Sequence, residues 1–95
     1  MEDKNLYQEK FEAKLKELKA QLDFIEAKAA QAKAQSKIEL QKQLQDLRRK
    51  RDAMRERLDK VRKSSGGAWK DLKAGVESAA DDLKEALGKV MDKFK

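Results

Sequence analysis

Apolar residues recur along the first third of the chain at alternating steps of four and three: Phe11, Leu15, Leu18, Leu22, Ile25, Ala29 and Ala32. This is a heptad seam, the mark of a helix that buries one stripe and wets the rest. The seam continues through Ser36, Leu40, Leu44, Leu47, Arg51, Met54, Leu58 and Val61, with two successive long steps around Leu40 that amount to one inserted residue. Such an insertion changes the supercoil locally. Just before it, the stretch 27–36 (AKAAQAKAQS) is rich in alanine. Alanine is the best helix former and the thinnest, so this stretch reads as slender helix that a neighbour can approach closely. A second seam follows: Trp69, Leu72, Val76, Ala79, Leu83, Ala86, Val90 and Phe94, broadened by Leu87 and Met91.

Only four glycines interrupt the pattern, and the one strong turn signal is Ser64-Ser65-Gly66-Gly67. The spacing therefore predicts an all-α chain with a long helix over about 5–63 and a shorter amphipathic helix over about 68–94. At ~1.5 Å per residue the first would be about 88 Å long, which calls for a rod. Matching the second seam in reverse against Val61, Leu58, Met54, Arg51, Leu47, Leu44, Leu40 and Ser36 makes every pair of residue numbers add to 130. Some heptad register always matches. The informative points are that both seams share the same irregular step and that the midpoint falls inside the Ser-Ser-Gly-Gly turn. The pairing predicts an elongated antiparallel coiled-coil hairpin, with Arg51 opposite the small Ala79. Two continuous helices crossing at residue 65 in an antiparallel dimer would give the same pairs. Keeping a helix through two glycines costs about 1 kcal/mol each, which favours the turn.

The chain then reads as one helical unit over 1–95, with a hairpin of 38–63 and 68–94, a turn at 64–67 and a projecting arm at 1–37. The arm's seam has no partner in the second helix. A lone amphipathic helix is marginal in water, so Phe11, Leu15, Leu18, Leu22 and Ile25 are expected to pack on another copy, giving a homo-oligomer.

Charge changes the picture in one place. The chain has 24 Lys+Arg and 18 Asp+Glu, a net +6, but the net charge is −2 over 1–26, +8 over 27–63 and zero over 64–95. Heptad lettering sets Arg48, Arg55, Arg62 and Lys73 on one flank of the hairpin, with Arg55 near Lys73, while on the other flank Lys50 comes near Asp82. Like charges side by side are mildly unfavourable, so this flank is the expected contact for an anionic partner. The candidates are Glu12 and Glu26 from another copy, or an external anionic surface. The bland alternative is that dense charge keeps a rod solvated. Nucleic acid is disfavoured: Asp52, Glu56 and Asp59 interrupt the basic run, and no aromatic lies near it for stacking.

In the second helix, Lys73, Lys84 and Lys93 border the apolar face while Asp81, Glu85 and Asp92 occupy the polar one, as in helices that lie on lipid. Trp69, Leu72, Val76, Leu83, Leu87 and Phe94 are therefore either helix-packing core or a lipid-facing surface on an anionic membrane. The matching seam in the first helix favours packing. The chain has no Cys and no His, which removes thiol nucleophiles, imidazole bases and the usual zinc ligands. Carboxylate neighbours such as Asp81 with Asp82, or Asp71 with Glu77, point apart on a helix and have nothing to enclose them. No catalytic residue, metal or cofactor is expected. With no apolar run long enough for a membrane span or a signal segment, the expected location is the cytoplasm.

The order KLKELKAQLDFIEAKAAQAKAQSKIELQKQLQDLRRKRD, a glycine break, then AWKDLKAGVESAADDLKEAL resembles a family of small bacterial proteins described as coiled-coil domain proteins, or as a stress-response family of cyanobacteria and proteobacteria. Nearly the whole chain is covered, and the second block is the specific part. The resemblance implies a small helical protein linked to stress conditions, with no catalytic or ligand residues to transfer. Ala80 departs from the pattern, where many relatives are expected to carry a bulky aromatic.

Overall fold

Leu47, Met54 and Val61 before the glycine pair, and Val76, Leu83 and Leu87 after it, are all removed from solvent. They are the shared stripe of an antiparallel hairpin. In the computed structural model, which describes residues 3–94, its arms are helix α2 (Ala34–Lys63) and helix α3 (Trp69–Met91), the latter ending in a single 3₁₀ turn at Asp92–Phe94. Side-chain contacts on the flank follow the same reversed register. Arg57 donates to the Gly75 carbonyl at 3.0 Å, and Lys93 pairs with Glu39 at 3.4 Å. Residue numbers add to 132 in both, two more than in the core seam, as expected for the positions that flank it. The turn closes within one chain: Ser64 leaves the helix with ψ 151°, and Gly66 takes φ 59°, the left-handed region that glycine enters freely.

The long first helix predicted over 5–63 is instead two helices. Helix α1 spans Lys4–Ala30, and α2 begins at Ala34. The last turn of α1 tightens, with Gln31 N–H donating to Lys28 and Ala32 N–H to Ala29, each at 3.1 Å. Lys33 then swings to ψ 155°, and this one extended residue reverses the chain. What was expected as a projecting arm lies back along the hairpin, making a three-helix bundle of 51 × 18 × 16 Å. The molecule is a rod, shorter than the one a continuous helix would make.

Magnitudes explain the fold-back. Tyr7, Leu15, Leu18, Leu22 and Ile25 are at most 9% exposed. Burying large apolar side chains is worth about 1.5–3 kcal/mol each, so these five contribute roughly 8–15 kcal/mol. Interrupting a helix forfeits about four intrahelical hydrogen bonds at a net ~1 kcal/mol each. Burial wins. The seam that was expected to seek another copy finds its partners inside the chain.

Tyr7 anchors the far end of α1. Its ring sits 4.7 Å from Phe11 and 5.4 Å from Trp69, and its hydroxyl donates to the Lys73 carbonyl at 3.2 Å. Nearby, the Lys4 ammonium donates to the Ser64 carbonyl at the turn. Asp3 caps the helix, accepting from the Leu6 N–H at 2.8 Å. Replacement of Tyr7 by Ala should lower the unfolding free energy by about 3–5 kcal/mol, as for other buried aromatics, measured by urea titration of the helical signal. A projecting arm would leave the midpoint unchanged.

Candidate interaction surface

The basic flank of α2 is where the sequence places a partner, and the partner there is α1 of the same chain. Glu26 accepts from the Arg48 Nε at 3.2 Å. Two heptads away on both helices, Glu12 shares a groove with Arg62 and raises its pKa, behind the larger effect of Asp59. Residue numbers add to 74 in both pairs. Within the chain, Glu26 pairs with Arg48 and Glu12 lies in the groove beside Arg62, whereas the expectation was of acids from another copy or of an external anionic surface.

One heptad from each of these pairs, the same sum would bring Lys19 of α1 toward Arg55, a like charge. Arg55 turns instead to Asp52, at 3.4 Å, which also receives Arg51 at 3.0 Å. Arg51, the one charge in the α2 seam, thereby keeps its head at the surface while Ala79 is buried on α3. At the end of α2, Asp59 takes Arg62 and, at 2.9 Å, Lys63. Hydrogen bonding from Arg62 first, and then Lys63, holds the Asp59 carboxyl below its usual range. Lys60, Arg62 and Lys63 in this last turn also suit the negative end of the helix dipole.

Arg48, Arg55, Arg62 and Lys73 do not form one patch. The three arginines line the α1–α2 side and each has a carboxylate neighbour. The Lys73 ammonium lies on the α1–α3 side, 5.2 Å from the Tyr7 ring centre and 5.5 Å from that of Trp69. Helix α1 is wedged between them. A two-helix register predicts Arg55 beside Lys73 because it leaves the third helix out. Lys50 and Asp82 do line one groove between α2 and α3, although Lys50 forms its ion pair with Asp46 at 3.4 Å.

The residues expected to pack on another copy lie in the core of this chain instead, and those expected on the α3 seam face the same core. Leu15, Leu18, Leu22 and Ile25 are buried, and Phe11 packs against the core from a half-buried position. Trp69, Val76, Leu83 and Leu87 are buried, while Leu72 and Phe94 are half-buried against the core. Phe94 and Ser36 border one groove, the last step of the predicted register. Tyr7 and Ala80 are core residues outside the predicted seams, although Tyr7 sits four residues before Phe11 and extends the seam by one step. Ala80 is only 4% exposed, beside Phe11 in a groove between α1 and α3. An aromatic here would enter that groove and press on α1.

Among the described residues, the large apolar side chains left outside are Leu6, Phe24 and Ile38. Leu6 and Phe24 lie on the outward face of α1, with exposed Ala13 and Ala20 between them. Among the described residues no group of three or more carboxylates is placed to hold a metal ion, and no helix is long and apolar enough to cross a membrane.

The charge ladder can be improved by one substitution. Lys19→Glu, which puts an acid opposite Arg55, should raise stability by about 0.2–1 kcal/mol at low salt, and the gain should vanish at high salt when both proteins are compared by urea titration. No known family model, curated protein or solved structure matches this chain.

Proposed function

We propose that this chain is a non-enzymatic helical interaction protein that associates with copies of itself in the cytoplasm. The observation that carries the reading is the division of labour in the bundle. A narrow core takes up the seams, and what faces outward is a set of helix faces bearing closely spaced charges of both signs and the apolar residues of α1. Grooves between the helices are open and lined by ion-paired side chains such as Asp52 with Arg55 and Asp59 with Arg62. Surfaces of this kind suit helix-to-helix contact better than the enclosed apolar pocket a small-molecule reaction uses. A link to stress conditions rests on the family resemblance alone. Sedimentation equilibrium tests the reading: the average mass should rise above the 10.9 kDa of one chain with concentration, and a constant single-chain mass would refute it.

A second reading, attachment to an anionic membrane through α3, is supported by the charge pattern of that helix, in which Lys73, Lys84 and Lys93 border the apolar face. It requires the bundle to open, because Trp69, Val76, Leu83 and Leu87 are buried. Flotation with anionic vesicles containing brominated lipid separates the two. The interaction reading expects no flotation and no quenching of Trp69, whereas flotation with quenching would establish the membrane reading.

A further inference from the structure

The two corners of the bundle are built differently. The α2–α3 corner has its glycine at positive φ. The α1–α2 corner has none: Ala30, Gln31, Ala32, Lys33, Ala34 and Gln35 are all strong helix formers. No side chain caps Lys33, and the first turn of α2 contains no acid. A helix N-terminus leaves its first N–H groups without intrahelical acceptors and favours negative charge. Here it carries Lys33 and Lys37 instead. Returning Lys33 to helical ψ would join α1 and α2 and restore those hydrogen bonds.

We propose that this corner is a hinge, and that straightening it lets α1 leave its own hairpin and pack on α2 and α3 of a second copy. The proposal rests on the self-association reading and specifies its contact: the buried seam of α1, exchanged between two chains. Every interaction that holds α1 is reused. Glu26 of one chain meets Arg48 of the other, and Tyr7 meets Trp69, because exchange preserves each local contact. The chain's own register supports the geometry. The flank pairs that add to 74 center two antiparallel straight helices near residue 37, where Ala32, Ala34 and Ser36 are small enough for two backbones to approach. The joined helix, Lys4–Lys63, would be about 90 Å long at ~1.5 Å per residue, against the 51 Å of the closed bundle.

The test uses the absence of native cysteine. Glu26→Cys with Arg48→Cys places two thiols across the α1–α2 contact, and a short bis-maleimide joins them. A closed chain gives an internal link that runs as a monomer on denaturing gels. An exchanged pair gives links between chains that run as a dimer, increasingly with protein concentration during preparation. Adding Ala34→Pro should reduce the linked dimer by more than about a hundredfold, because proline fits the first position of α2 but breaks a continuous helix. Interchain links abolished by that substitution are the expected result. Dimers in sedimentation that yield only internal links would overturn the exchange while leaving self-association standing. Monomers at every concentration would overturn both, and interchain links that survive Ala34→Pro would overturn the hinge.

Discussion

The apolar stripe of α1 has to be covered, and the rest of the molecule is arranged around how that happens. A helix of 27 residues with a polar back is close to marginal by itself. The hairpin of α2 and α3 leaves a trough along one side, and laying α1 in it buries Tyr7, Leu18, Leu22 and Ile25 almost completely. That burial exceeds the loss of helical hydrogen bonds at the corner by several kcal/mol. It also brings the acidic N-terminal third beside the basic middle third. The uneven charge along the sequence is thereby converted into ion pairs across one helix contact. These surface pairs add little stability, but their sign pattern agrees with the register that the apolar residues set.

The corners show two ways of reversing a helical chain. At 64–67 the local sequence asks for a turn, through serine and glycine. At 31–33 nothing local does, and only tertiary burial keeps Lys33 extended. A corner held by packing alone is as well satisfied when the packing comes from another molecule. In the proposed exchange the same contacts would serve the closed chain and the pair.

Helix content, both seams, the reversed register of the hairpin and the glycine turn were legible because each is written as periodicity or as a local breaker. The acidic character of 1–26 and the basic character of 27–63 were legible as well, but not that one chain brings Glu26 to Arg48. The fold-back was harder to read because it has no breaker. Its traces are the run of long steps around Leu40 and the alanine-rich stretch at 27–36, features that also fit a locally altered coiled coil. Missing that corner explains two further differences. Without it, a two-helix register sets Arg55 and Lys73 side by side with no third helix between them. A projecting arm also leaves Tyr7 outside the core, because the indole of Trp69 and the Lys73 carbonyl then lie far from it.

That α1 lies along the hairpin is reported most directly by the contact between Tyr7 and Trp69, the only tryptophan. Nuclear Overhauser spectroscopy on the intact protein should show cross-peaks between these two rings, whose centres are 5.4 Å apart. They are expected whether the rings belong to one chain or to an exchanged pair. Their absence, with Tyr7 ring protons at the shifts of an exposed tyrosine, would contradict the three-helix arrangement.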